Sequence, residues 1–404
     1  MRITCVGGGP AGLYFATVAK LRDPAREVVV VERNPPGTTY GWGVVYWDSL
    51  RHALHRVDAP SAREITARSV TWTGQQLRMG ERVVHLGGYG YSIERRQLLD
   101  VLQARARQLG VQMRFEETVD DAADVDADVV VAADGHKSAL RSRRAEVFGT
   151  SIRTGANAYI WLGTSKEFKD FTFGCEPTDA GWLWYHGYQF APNASTVIVE
   201  CAEATRRGLG LDALDDSAGL EVLADVFRRH LDGAPLRGRR PGQHPARWSH
   251  FPTLTNERWY DDRLVLLGDA AHTAHYSIGS GTRLALEDAI SLGNALSAPG
   301  LDLAGALRRY ADERRPEVAR WQAEAAASAS WFESMDEHLT HGPMDVAHAL
   351  LRRRHPGAAA ASFGEIDRSA WDYRLLHATQ TPALRQARWL VGAARRRRAA
   401  ARLR

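Results

Sequence analysis

Gly7, Gly9 and Gly12 follow a short apolar run at residues 2–6 and fit the pattern G-x-G-x-x-G, with Ala11 inside the same turn. That spacing suits a dinucleotide. Gly7 permits a tight turn, Gly9 lets the backbone approach a pyrophosphate, and Gly12 lets the next helix lie close on the strand. The free N–H groups and positive dipole end of that helix face the phosphates. A second β-branched run at residues 28–31 ends on Glu32, 20 residues past Gly12, where a carboxylate accepts hydrogen bonds from ribose hydroxyls. Two later stretches carry similar promise. Asp134 and Gly135 close the apolar run 128–133, at the strand end where α/β sheets bind ligands. Asp269 follows the apolar run 263–267, and the chain then passes through His272, His275 and Tyr276 to Gly279, Ser280, Gly281 and Thr282.

The elements that must position these groups are legible from periodicity. Residues 13–21 have helical spacing after the first strand, and residues 50–65 read as helix broken at Pro60. Residues 68–86 alternate with period two and read as two antiparallel strands. A helix is expected from Arg95 to the C-cap Gly110, then strands at 111–115 and 128–133. Residues 159–201 are antiparallel in pattern and rich in aromatics, and 249–254 suits a further strand. Helices follow at 220–231, 284–296 and 310–331, with shorter ones near 344–353 and 381–400 and a loop through 356–364. The fold class is α/β: a discontinuous Rossmann-like nucleotide domain (1–67, 92–150 and 255–330), an inserted antiparallel β-rich substrate domain (68–91 and 151–254) and a C-terminal helical region (331–404) with a basic tail.

Composition narrows the function classes. The 52 basic residues nearly balance the 48 acidic ones over 404 residues, and no DNA- or RNA-reading motif occurs, so nucleic acid is not the expected partner. Much of the excess charge is local, in Arg395–Arg398 and the following Arg402 and Arg404, which read as a solvated tail. No apolar run is long enough to span a membrane, and no signal peptide precedes the first strand. Three cysteines without a C-x-x-C pair argue against a disulfide framework or a metal site. The expected setting is cytoplasmic.

The ordered set of the glycine turn with Glu32, the Asp134-Gly135-x-x-Ser138-x-x-Arg141 stretch and the Gly268-Asp269-Ala270-Ala271-His272 stretch resembles the class A flavin-dependent aromatic hydroxylases, the family of para-hydroxybenzoate hydroxylase. The resemblance covers residues 1–330. It implies non-covalent FAD, NADPH or NADH as external reductant, and O2 that adds to reduced flavin as a C4a-hydroperoxide which hydroxylates an activated ring. It implies that Gly7, Gly9, Ala11 and Gly12 hold the pyrophosphate, Glu32 and Arg33 the adenosine end, and Arg95 the cofactor near Val44. Asp134 and Gly135 would serve the pyrophosphate, Asp269 the ribitol, and the backbone of Gly279, Ser280, Gly281 and Thr282 the flavin ring. One departure stands out: Tyr276 occupies the place, four residues past His272, where the family usually has proline. The Gly41-Trp42-Gly43-Val44-Val45 element and residues 272–282 are similar to the branch that includes salicyloyl-CoA 5-hydroxylase and the monooxygenase half of 2-aminobenzoyl-CoA monooxygenase/reductase, and a violacein-pathway hydroxylase shares the first of these elements.

Attack on an aromatic ring is helped when a base takes, or a hydrogen bond polarises, an acidic ring proton. His186, His275, Tyr276 and Glu200 are the candidates for that work. Trp184, His186 and Tyr188 share one strand face by period two, and Trp184, Tyr188 and Trp42 are candidates for substrate contact. Three readings stay open: hydroxylation of an aryl-CoA thioester, hydroxylation of a free or carrier-bound aromatic or indole, and a flavoprotein without oxygenase turnover. A monomer and a homodimer are both compatible with the sequence.

Overall fold

The computed structural model describes residues 1–39, 41–214, 216–238, 246–354 and 368–401. The first strand, Arg2–Val6, pairs in parallel with Glu27–Glu32 on one side and Val129–Ala132 on the other. The six-stranded sheet runs Tyr260–Asp261, Leu264–Leu266, Val129–Ala132, Arg2–Val6, Glu27–Glu32, Gln112–Phe115. Val129–Ala132 is buried on both faces, which explains its unbroken apolar sequence. Helix Pro10–Arg22 crosses between the first two strands, with Pro10 in its opening turn where no N–H is needed.

The larger sheet has eight strands. Its path is Leu236–Arg237, Ser151–Thr164, Ala194–Cys201, Gly181–Ala191, Phe171–Thr178, Gln75–Met79, Arg82–His85, and Ser249–Thr255 pairs with Ser151–Thr164 off this path. Register decides which side chains share a face. Tyr159 lies opposite Glu200, Trp161 opposite Ile198, Ile198 opposite His186, and His186 opposite Phe173. Alternation then puts Ile160, Leu162, Leu183, Tyr185, Val197 and Val199 on the other face, where they pack with Leu223, Phe227 and Leu231. Burying each such side chain is worth roughly 1.5–3 kcal/mol. With one face held in that core, the first face is left to line a cavity.

Helices Gly281–Ala295 and Leu303–Glu333 hold the sheets together. Asp288 joins them: it accepts from His272 Nε2 at 2.7 Å and from Arg314 Nε at 2.7 Å. Trp259 stacks on the His272 ring at 5.2 Å. Among the described residues no helix is long and apolar enough to cross a membrane.

Three expectations change. The 68–86 stretch holds three strands, not two: Val70–Trp72 joins Gly90–Glu94 and Gly43–Tyr46 in a separate three-stranded sheet, and only Gln75–Met79 and Arg82–His85 form the hairpin. Trp72 pairs with Gly90 and fills the space a side chain there would take, which locks the strand into that sheet. The helix expected at 220–231 spans Asp216–Val226, and the long helix begins seven residues before Tyr310, at Leu303. Arg395–Arg398 belong to helix Pro382–Ala401, while Arg402, Arg404 and the loop at 356–364 lie outside the described residues.

Candidate active site

A cavity of about 680 Å³ runs from the C-terminal ends of the parallel strands to the aromatic face of the eight-stranded sheet. Gly9, Ala11, Val44, Arg95, Gly135 and Asp269 line its first half, and Gly279, Gly281 and Thr282 follow. A dinucleotide fits the groups found there. A Cβ on Gly9, Gly135 or Gly281 would meet nothing within 4 Å, so bare backbone faces the opening at all three. Helix Gly281–Ala295 starts at the cavity wall with no side-chain cap on its first N–H groups. Arg95 is half-buried; burial lowers its pKa, and the Asp269 carboxylate opposes that shift.

Six expected cofactor residues stand back from the cavity wall: Gly7 and Gly12, which shape the turn, and Glu32, Arg33, Asp134 and Ser280. Glu32 accepts from the Gly8 N–H at 2.8 Å and from the Asn34 N–H at 2.9 Å. The oxygen that meets the Asn34 N–H also accepts from Asn34 Nδ2 at 2.6 Å, so the oxygen facing Gly8 is the one that keeps a lone pair for a ribose hydroxyl. Asp134 turns inward and accepts from the Ala139 N–H at 2.8 Å, so it holds the turn while Gly135 faces the opening. Burial, the largest influence on the Asp134 carboxyl, raises its pKa. Arg33 is exposed at the strand end, and Ser280 is buried beneath the helix start.

The second half is aromatic. Tyr159, Trp161, Phe171, Phe173, His186 and Tyr188 line it, and Tyr276 enters from the loop before Gly279. Phe171 and Tyr188 stack at 5.5 Å, while Tyr159 and Tyr276 lie 4.9 Å apart. Such walls suit a flat ring. The Tyr276 hydroxyl donates to Glu200 at 2.5 Å, and Asn157 Nδ2 donates to the other Glu200 oxygen at 2.8 Å. Glu200 is 1 % exposed and does not itself line the cavity. Burial raises its pKa to about 7, against the lowering effect of those two hydrogen bonds. Burial also drives the Tyr276 hydroxyl well above its ordinary value, with the Glu200 charge adding to the shift.

The two candidate histidines part company. His186 lines the cavity, is 2 % exposed, and its Nε2 has no hydrogen-bond partner among the described residues. Burial, then the charge of Arg353, holds it neutral. His275 does not line the cavity: its Nδ1 meets the Ser277 hydroxyl at 2.9 Å and caps the turn Tyr276–Ile278. Burial lowers its pKa to about 3, so it stays neutral and structural. Trp42 and Trp184 also fall outside the wall. Trp42 fills the space above Gly163, and Trp184 is buried with Phe173 and Met335 directly opposite Glu200.

Two arginines at the wall escape sequence reasoning. Arg353 and Arg354 follow helix Pro343–Arg352 and reach the cavity. Arginine is plentiful in the chain, and the one local signal is a basic pair ending an apolar helix.

Known proteins place the chain in a family. The family model for the FAD binding domain matches residues 234–325. Salicyloyl-CoA 5-hydroxylase of a Streptomyces species is 37% identical over 88% of this chain and 70% of its own length. The 3-hydroxy-4-methyl-anthranilyl-(aryl-carrier protein) 5-monooxygenase of Streptosporangium sibiricum is 38% identical over 82% of this chain and 89% of its own. The crystal structure of 2-methyl-3-hydroxypyridine-5-carboxylic acid oxygenase shares the fold, with a TM-score of 0.68 at 20% identity over 88% of this chain and 98% of that one. With a glycine turn open to a pyrophosphate, an Asp269 turn leading to an uncapped helix, and relatives of this identity and coverage, the chain belongs to the family of FAD-dependent aromatic monooxygenases.

Proposed function

We propose that this enzyme hydroxylates the ring of a hydroxyaryl thioester, with coenzyme A as the carrier, at the expense of NAD(P)H and O2. The observation that carries the reading is Tyr276, whose hydroxyl donates to Glu200 inside an aromatic wall next to the flavin-binding loop. Bound FAD would supply the redox chemistry between the nicotinamide and O2. Gly7, Gly9, Gly12, Gly135, Arg95 and Asp269 would hold it, with Glu32 at its adenosine end. The first assignment rests on the bare cavity backbone at Gly9 and Gly135.

The protein's own part is to make the ring electron-rich. Tyr276 donates its proton towards Glu200, so its oxygen lone pairs remain for the ring hydroxyl of the substrate. As the ring O–H proton passes to Tyr276, the tyrosine proton passes to Glu200, and the ring is left as the oxyanion. A carboxyl held near pH 7 is matched to that exchange. His186 and the flanking phenyl rings exclude water from it. The strands at 75–79, 82–85 and 151–201 build the substrate face, which supports the division of the chain into 68–91 and 151–254 for substrate and 1–67, 92–150 and 255–330 for cofactor. All three cysteines are buried free thiols, which suits a reducing cytoplasm, with the enzyme a monomer or homodimer.

A carrier-bound ring is the second reading, favoured by the relative that acts on an aryl-carrier protein. Substrate-stimulated NADPH oxidation separates the two. The holoenzyme would be offered salicyloyl-CoA, salicylate, an aryl-carrier-protein thioester and an indole acid in turn. The proposal expects the CoA thioester to accelerate oxidation most. A response to the carrier-protein thioester alone favours the second reading, and a response to the free acids alone overturns both.

A further inference from the structure

We infer that Arg353, with His186 beside it, is the anion-holding subsite of the substrate end of the cavity and takes the acidic ring oxygen of the substrate as its oxyanion. This rests on the reading of the cavity as an aromatic hydroxylase site and names the cation that holds the ring oxygen there.

Arg353 is 6 % exposed and lines the cavity. Its Nε donates to the Ser328 hydroxyl, one Nη to the Leu350 carbonyl and the other to the Ser277 carbonyl. A guanidinium has five N–H groups, so two remain for a ligand. Among the described residues no carboxylate pairs with it. Its neighbours instead are Arg354 and the faces of Phe173 and Phe332, at 5.3 and 5.7 Å. A buried charge without a counter-ion is costly, and a bound anion offsets that cost.

His186 packs on the same two rings, at 5.1 Å from Phe173 and 4.9 Å from Phe332. Its unpartnered Nε2 is a second polar atom at this end of the wall. Tyr276 closes the third side, 5.8 Å from the His186 ring. An oxygen placed among these groups meets a fixed cation, a neutral imidazole and the phenol that accepts its proton. A ring lacking that oxygen leaves Arg353 unpaired. The site therefore selects phenols whose hydroxyl ionises on binding, over rings without an acidic substituent.

Flavin absorbance titrations of the holoenzyme test this with two matched pairs: salicyloyl-CoA against benzoyl-CoA, and salicylate against benzoate. The wild type should prefer the hydroxylated member by about tenfold or more, as expected of a charge-assisted hydrogen bond. Arg353→Met should bring that ratio to about one, and Arg353→Lys should retain part of it. Absorbance of the bound phenolate should be present in the wild type and lost in Arg353→Met. If both members of a pair lose affinity equally, or the ratio survives Arg353→Met, the inference is wrong and Arg353 only braces the Ser277 loop. Should Arg353→Met release flavin, Arg353→Lys and His186→Phe decide by the same ratio. If only the free acids bind, the thioester reading fails while Arg353 is still judged on the salicylate pair. If neither pair binds, both fall.

Discussion

The Tyr276 hydroxyl and the Glu200 carboxylate meet at 2.5 Å across 76 residues of sequence. One comes from the loop that leads to the cofactor helix, the other from the middle of the substrate sheet. Each alone would be an ordinary buried polar group. In the proposed reaction they give a ring hydroxyl an acceptor that passes its proton on. Tyr276→Phe and Glu200→Gln should each lower kcat by about 100-fold while flavin stays bound. Rapid-mixing kinetics with the best substrate from the panel would show whether the loss lies in ring hydroxylation.

The same pair sets a pH dependence. Glu200 must be ionised to accept the proton, and burial raises its pKa to about 7. The rate of hydroxylation should therefore fall as pH drops through about 7, and Glu200→Gln should abolish that limb. A profile unchanged in the variant would remove Glu200 from the relay.

Stability should respond in the opposite sense to that of a salt-bridged carboxylate. In the folded chain Glu200 keeps its proton up to about pH 7, whereas its ordinary value is 4.5. Between those values the unfolded chain binds fewer protons than the folded one, so stability is lost as pH rises through the window. Glu200→Gln should thus gain Tm over the wild type at about pH 8, with the gain vanishing near pH 4. Thermal unfolding at the two pH values checks it.

Gly12 has no room for a side chain in the nucleotide turn. A Cβ there would lie 2.2 Å from the Gly7 carbonyl oxygen, and Gly7 itself has φ +115° against the Ala133 backbone. Gly12→Ala should push the helix off the strand at a cost of about 1–3 kcal/mol and release FAD. The flavin-to-protein ratio after gel filtration measures that directly.

Asp288 tests the scaffold behind the Asp269 turn. It is 0 % exposed between His272 and Arg314; burial alone would raise its pKa, but those two partners outweigh it and hold it below the usual carboxylate range. Asp288→Ala leaves the buried Arg314 with the more distant Glu287, at 3.6 Å, and should cost about 3 kcal/mol in denaturant unfolding. His272→Asn should cost less, since Arg314 keeps its carboxylate.

Much of this was legible because it is local. The strand, glycine turn, helix and strand of residues 2–32 are fixed by neighbours in sequence, and period two put His186 and Tyr188 on the face that lines the cavity. What escaped depends on distant contacts. Nothing near Trp42 shows that its ring is taken up by Gly163, and nothing near Trp184 shows that it packs behind the wall. His275 and Tyr276 are adjacent, yet the Tyr276–Ile278 turn sends one into the turn and the other into the cavity. Arg353 was hidden most completely, because its place depends on a helix that packs against the substrate sheet from beyond residue 340.

The central claim is oxygen insertion into a thioester-bound ring, and the direct measurement is mass spectrometry of salicyloyl-CoA after turnover with holoenzyme, NADPH and heavy-isotope O2. The account predicts a hydroxylated thioester carrying one heavy oxygen, formed in step with NADPH consumed. NADPH oxidation that yields only hydrogen peroxide, with the thioester returned unchanged, would contradict it.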